Sequence, residues 1–147
     1  MKAVQFFIGK FETVEDIDPD ALRTTIYMVA YWNNFAEVDW DSYIFTYQIS
    51  DLNAISLSYF DVAYDWTQLN DRENIHYYDE ATQTIVVREP FPFAGGGGYY
   101  TVKSVEANGN GIYVAVCDFN GEFGNFVRTD YLTMRKTQYG YVAVSFQ

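Results

Sequence analysis

The sequence is poor in positive charge, because its 147 residues contain 9 lysines and arginines against 20 aspartates and glutamates. The formal net charge is −11 at pH 7. A surface of this sign does not attract nucleic-acid phosphates and is repelled by anionic membranes. A basic partner, in contrast, is attracted to it. We therefore expect no nucleic-acid binding.

Cysteine and histidine each occur once, and no apolar run approaches the length of a membrane span. Cys117 has no second cysteine for an internal disulfide, and its position inside an apolar stretch predicts a buried structural thiol. Residues 2–10 are too short and too polar for a secretory signal. We expect either a cytoplasmic protein or a mature fragment whose signal was removed, and no membrane insertion.

Aromatic residues are abundant, with 14 Tyr, 12 Phe and 3 Trp. Hydrophobic residues make up 49% of the chain, which places it among folded proteins rather than disordered ones. A chain of this length is long enough for one domain with a full core and too short to argue for two. We predict a single α+β domain over residues 1–147.

The last third of the chain predicts an antiparallel meander. Residues 112–117 and 141–146 alternate with a period of two, as strands do. Strands are also predicted over 126–134 and 100–106, with a bulge in the latter. The face expected to be buried comprises Ile112, Val114, Val116, Val142, Val144 and Phe146. The other face sets Tyr113 and Tyr141 beside small residues, which indicates either a ligand groove or an ordinary half-exposed sheet face.

Two helices are predicted before this meander. Asp18 is a good N-cap and Pro19 suits the first helical position, so a helix is expected from Pro19 to about Phe35. Ser50 is the second candidate cap, for a helix from Asp51 to about Asp65. Residues 43–49 fit a strand, with a helical turn as the alternative, and a hairpin is expected over 75–78 and 84–88. The predicted fold class is α+β, with two N-terminal helices packed on a C-terminal antiparallel β-meander of four to six strands.

Metal and phosphate motifs are incomplete. Glu37, Asp39 and Asp41 begin like a calcium loop but lack its glycine and its later bidentate glutamate. Residues 118–122 also resemble part of such a loop and are better explained as a hairpin turn. The run Gly95–Gly98 is followed by neither Lys-Ser/Thr nor a helix, which phosphate loops require. We predict no metal and no cofactor.

His76 is the one residue whose side chain titrates near neutral pH, and carboxylates follow it closely at Asp79 and Glu80. Residues this close along a strand or turn usually point apart, and no nucleophile or oxyanion hole accompanies them. We therefore assign no catalytic residue. Whether the protein is an enzyme is left open, with a non-catalytic role favoured.

The segments 100–105, 111–116 and 139–146, placed after two helices, resemble the α+β rolls of the cystatin-like and nuclear-transport-factor-like kind. The C-terminal pattern also resembles uncharacterised bacterial lipoproteins and secreted domains. This resemblance implies an extracytoplasmic binding or scaffold domain, without catalytic residues that could be transferred.

Exposed aromatic rings provide contact area at low entropic cost. We therefore predict ligand-binding residues at Trp40, Trp66, Tyr113 and Tyr141. The predicted function is a non-catalytic binding or scaffold domain in the bacterial cell envelope or outside the cell, with a protein or glycan partner. The alternative is a cytoplasmic acidic inhibitor or immunity-type protein that binds a basic partner, and an enzyme of the cone-shaped α+β class is the third possibility.

Overall fold

The computed structural model describes residues 10–68, 76–88, 98–138 and 140–147. Within them lie two short 3-10 helices, Val14–Asp16 and Trp66–Gln68, and ten longer elements. These are α1 Pro19–Trp32, β1 Ala36–Asp39, β2 Ile44–Gln48, α2 Ile49–Phe60, β3 His76–Asp79, β4 Thr84–Arg88, β5 Tyr99–Ala107, β6 Ile112–Asn120, β7 Phe126–Thr137 and β8 Gly140–Phe146.

The strands of the described residues form two antiparallel sheets of four, in the orders β1-β2-β4-β3 and β5-β6-β7-β8. The α+β class and the C-terminal meander are therefore confirmed, and the meander has four strands. The sequence predicted β2 and the β3–β4 hairpin only as separate pieces and missed β1, because the acids of β1 suggested a solvated loop. Residues 3–9, which are apolar enough for a short strand or the start of a helix and whose periodicity cannot separate the two, lie outside the described residues, as do Gly95, Gly96 and Gly97.

The chain divides into two compact units. One contains Arg23–Leu57 and Asp61–Pro92, and so holds the first sheet with most of both helices. The other contains the second sheet. Tyr27 and Tyr31 of α1 each contact a ring of β2 in the first sheet, a sheet that the sequence did not assemble. The single domain over residues 1–147 stays a prediction.

Helix α1 begins as predicted. Asp18 Oδ1 accepts the backbone N–H groups of Asp20 and Ala21 at 3.0 and 2.9 Å, and thus satisfies donors that have no partner inside the helix. The helix ends at Trp32, earlier than predicted, because Asn34 adopts a φ of 60°. The Phe35 N–H then donates to the Ala30 carbonyl at 3.0 Å, which closes a Schellman motif.

The predicted limits of the second helix are wrong. Helix α2 begins at Ile49 with Gln48 as the N-cap, and the predicted cap Ser50 lies inside it. It ends at Phe60, because Asp61 adopts the left-handed conformation and donates its N–H to the Leu57 carbonyl. The helical spacing of apolar residues continues beyond that point in the sequence, although the helix does not.

On β6 the predicted buried face is wrong. Ala115 and Cys117 are buried, with exposures of 3% and 6%, while the valines of the predicted face are half-buried. In the pairing with β7, Ala115 lies opposite Leu132, and Cys117 lies opposite Asp130. Small side chains on the central strand leave room for the larger ones beside them, so the small face is the one that is covered.

Bulges explain the remaining differences in the second sheet. The β7–β8 register shifts between Thr133 and Met134, so that β8 has an extra residue at Val144. Val142 and Ala143 are consequently both buried, Phe146 is buried as predicted, and Val144 is half-buried. A second shift, between Val102 and Ser104 on β5, confirms the predicted bulge.

Candidate binding surface at Trp40

A row of aromatic rings lies between α1 and β2. Tyr27 and Tyr31 are four residues apart on α1, and Phe45 and Tyr47 are two apart on β2, so each pair shares one face. The two spacings are nearly equal, about 6 Å along a helix and about 6.6 Å along a strand. Tyr27 therefore stacks on Tyr47 with ring centroids 5.1 Å apart, and Tyr31 meets Phe45 at 5.6 Å. These four rings are called the aromatic row.

Trp66 closes the inner end of the aromatic row. Its ring is 1% exposed and lies 5.7 Å from the Tyr27 ring and 4.3 Å from the Tyr64 ring. Its indole Nε1–H donates to Asn53 Oδ1 at 2.8 Å. A buried tryptophan normally has such a partner. Trp66, one of the predicted ligand-binding residues, thus lies in the core and offers no surface to a partner.

The hydroxyls of Tyr27 and Tyr47 are buried without a hydrogen-bond partner, and burial raises the pKa of both phenols. We expect Tyr47→Phe to raise the free energy of unfolding by about 1 kcal/mol, because it removes a polar group that lost its water and gained no bond. Urea denaturation measures the change.

The matched control for this change is Tyr100→Phe. The Tyr100 hydroxyl bonds Asp130 Oδ2 at 2.9 Å and Arg128 Nη2 at 3.2 Å. Removing it is expected to cost about 1.5 kcal/mol, since bonds to charged groups are the stronger ones. A loss of stability in Tyr47→Phe as large as in Tyr100→Phe would show that the Tyr47 hydroxyl has a partner.

Trp40 lies at the outer end of the aromatic row, in the turn after β1. The residue is 54% exposed, yet its ring contacts Tyr31, Phe45 and Tyr43, with centroid distances of 6.5, 5.8 and 6.1 Å. All three contacts are edge-to-face, a favourable geometry for aromatic rings. Tyr43 is itself 46% exposed. These contacts hold the Trp40 ring in place, while the residue as a whole is more than half exposed. Trp40 and Tyr43 together are called the Trp40 surface.

Three exposed acids flank Trp40 in the chain: Glu37, Asp39 and Asp41. Asp39 shapes the turn, because its Oδ1 accepts the backbone N–H groups of Asp41 and Ser42 at 3.0 and 3.3 Å. Hydrogen bonds from the Ser42 side chain and backbone lower the pKa of Asp39. Within the described ranges no group of three or more potential metal ligands occurs, so these acids are not gathered around a common point.

Tyr113 and Tyr141 lie in the other unit, on the second sheet, and the structure brings them together. Their ring centroids are 5.1 Å apart in an edge-to-face contact. Tyr141 is 44% exposed and Tyr113 is half-buried. The two rings lie on β6 and β8 and meet over the strand between them, β7. The ligand-binding role of these two residues stays a prediction.

The other concentration of functional groups is a charged cluster around Asp130, which no pattern in the sequence indicated. The Asp130 side chain is fully buried on β7. Lys10 Nζ lies 3.1 Å from its Oδ1, Arg128 Nε lies 2.8 Å from its Oδ2, and the Tyr100 hydroxyl donates to Oδ2 at 2.9 Å. The Arg128 guanidinium also lies 4.6 Å from the centre of the Phe119 ring. These residues are called the Asp130 cluster.

The electrostatics of the Asp130 cluster favour a structural role. Burial opposes the charge of Asp130, but hydrogen bonds from Lys10, Tyr100 and Arg128 outweigh it and lower the pKa of the carboxyl. A general base needs a pKa near the working pH and a free oxygen lone pair facing its substrate. Both oxygens of Asp130 already accept bonds from protein donors. The cluster therefore ties β5, β7 and the segment before α1 to one another.

Cys117 and His76 are the remaining reactive side chains. Burial, assisted by the nearby carboxylates of Asp130 and Asp118, raises the pKa of the Cys117 thiol. This keeps the thiol protonated, as predicted for a structural cysteine. His76 starts β3 opposite Val87, and Asp79 lies three positions further along the strand. The two side chains are therefore on opposite faces of the sheet.

Comparisons with protein-family models, with curated proteins and with solved structures give no match. In the part of the chain that the structure describes, no helix combines the length and the hydropathy needed to span a bilayer.

Proposed function

We propose that the protein is a non-catalytic binding domain that contacts a partner through the Trp40 surface. One observation carries this proposal: Trp40, at the outer end of the aromatic row, is 54% exposed, whereas Trp66, at the inner end, is 1% exposed. A tryptophan supported by fixed rings and open to solvent offers large contact area with little side-chain entropy to lose. Tryptophan is also among the residues that most often dominate binding energies.

The location of the domain is part of the same proposal. The resemblance of the C-terminal pattern to bacterial lipoproteins and secreted domains supports a place outside the bacterial cytoplasm, where such domains bind or scaffold other molecules. The alternative is an acidic inhibitor in the cytoplasm. The codons upstream of the gene segment distinguish the two locations. An encoded signal peptide supports the envelope location, whereas its absence beside a toxin gene supports the inhibitor.

The binding role is tested with a glycan array and a panel of bacterial surface proteins, probed with the wild type and with Trp40→Ala. We expect at least one binder whose affinity falls at least about 10-fold in Trp40→Ala, the loss typical of a central aromatic contact. Phe126→Ala is the matched control, since Phe126 is 60% exposed on β7 and lies far from Trp40 in the chain. If no binder depends on Trp40, the proposal is wrong.

A further inference from the structure

We infer that the turn between β5 and β6 is a site of spontaneous covalent modification, at which Asn108 and Asn110 lose ammonia and become aspartate or isoaspartate. The chain contains three Asn–Gly pairs, at 108–109, 110–111 and 120–121. The structure separates the first two pairs from the third. Residues 108–111 are called the Asn–Gly turn, and their modification is independent of the proposed binding function.

The reaction takes place within the chain. The backbone nitrogen of the glycine attacks Cγ of the preceding asparagine, so that a new N–Cγ bond forms and the Cγ–Nδ2 bond breaks. The amide proton of the glycine leaves with the side-chain nitrogen as ammonia, and a cyclic imide remains. Water then opens one of the two imide carbonyls and gives aspartate or isoaspartate. No oxidant or reductant is required, and asparagine is accordingly a thermolabile residue.

Attack requires a glycine nitrogen whose N–H is not held in a hydrogen bond. In the Asn–Gly turn the hydrogen bonds use other groups. The Asn108 N–H donates to the Ile112 carbonyl at 2.8 Å, and the Ile112 N–H donates to the Gly109 carbonyl at 2.9 Å. Among the hydrogen bonds of the described residues, the N–H groups of Gly109 and Gly111 donate none. Both glycine nitrogens are therefore available for the attack.

The asparagine side chains of the turn are equally accessible. All four residues of the Asn–Gly turn are exposed, so water reaches the imide. Asn110 and Gly111 have φ values of 50° and 76°, as the two central residues of a tight type I′ hairpin turn do. In the part of the chain that the structure describes, neither the Asn108 nor the Asn110 amide makes a hydrogen bond. Each amide can therefore rotate toward the nitrogen that follows it.

The third Asn–Gly pair lacks this freedom. The Gly121 N–H donates to the Asn125 carbonyl at 2.8 Å. Asn120 is half-buried at the end of β6, and its Nδ2 donates to Thr101 Oγ1 at 3.2 Å and to the Asp118 carbonyl at 3.3 Å. These bonds must open before the reaction can begin, so only the small population of locally opened molecules reacts.

The test incubates the intact protein in mildly alkaline buffer and follows each Asn–Gly pair by peptide mass spectrometry. We expect Asn108 and Asn110 to react at least about 10-fold faster than Asn120, because opening its protecting hydrogen bonds costs at least about that factor. In concentrated urea the three pairs should react at similar rates, since the bonds that protect Asn120 are then absent.

Charge provides a second readout, because each conversion adds a negative charge that ion-exchange chromatography separates. The double variant Asn108→Ser/Asn110→Ser should lose most of the acidic forms that the wild type accumulates. Asn120→Ser is the matched control and should accumulate them at the wild-type rate. Equal rates at the three pairs in the folded protein would overturn the inference. It would also be overturned if Asn108 and Asn110 react in urea but stay intact in the folded protein.

Discussion

Replacing Trp66 by alanine is expected to lower the free energy of unfolding by about 4 kcal/mol, the usual cost of truncating a buried tryptophan. The ring is 1% exposed and contacts Tyr27 and Tyr64, so its removal leaves a cavity that rigid neighbours cannot fill. The variant also removes the hydrogen bond that the indole N–H donates to Asn53 Oδ1 at 2.8 Å.

Trp40→Ala is the comparison for this prediction, because it makes the same chemical change at the outer end of the aromatic row. It should cost about 1 kcal/mol, the value of a few edge-to-face contacts at the surface. Urea denaturation of both variants, with the slope m compared to the wild type, measures the difference. Similar costs for the two variants would show that Trp66 is not a core residue.

The two tryptophans show what the sequence could not resolve. Trp40 follows β1 and Trp66 follows α2. The sequence analysis predicts a ligand-binding role for both. Burial of Trp66 depends on Asn53 and Tyr27, which are distant in the chain and reach it only through the fold. Exposure of Trp40 follows from its position in a turn, a feature that the neighbouring acids do indicate in the sequence.

Sequence patterns predicted the elements that depend on neighbouring residues alone, such as a helix cap or the alternation along a strand. The Asp18–Pro19 pair marked the start of α1, and the period-two pattern predicted β2, β6 and β8. The helix ends were missed because Asn34 and Asp61 take left-handed conformations without being glycine. Asn and Asp take a positive φ more readily than other non-glycine residues, but most of them do not, so they give little warning in a sequence.

Which face of a strand is buried is decided by its neighbours. On β6 the sequence favoured the valine face, since it is the more apolar one. In the structure the opposite face meets Leu132 and Asp130 across the pairing with β7 and is covered. The register between two strands cannot be read from either strand alone, and the same holds for the Asp130 cluster. Its Arg128–Asp130 pair has the spacing of one strand face, but Lys10 and Tyr100 come from elsewhere.

Asp130→Asn is expected to lower the free energy of unfolding by about 3 kcal/mol at pH 7, because it breaks a buried ion pair and leaves two cations without their common partner. The cost lies toward the lower end of the usual range, since the Lys10 and Arg128 side chains are 55% and 46% exposed and can turn to water. Asp118→Asn is the control. Its contact with Lys103 is longer, 3.6 Å, and partly exposed, so a change below about 1 kcal/mol is expected.

The pH dependence of this loss identifies the ionised carboxylate as its cause. The folded-state pKa of Asp130 is lowered, whereas an unfolded aspartate has a pKa of about 3.9. The stabilisation by Asp130 is therefore fully present above that pH and is lost as the pH falls toward the folded-state pKa. The difference in stability between the wild type and Asp130→Asn should stay constant from pH 7 to about 5 and shrink at about pH 3. Urea denaturation across this range measures it. A difference that stays constant down to pH 3 would mean that the ionised carboxylate of Asp130 is not what stabilises the folded protein.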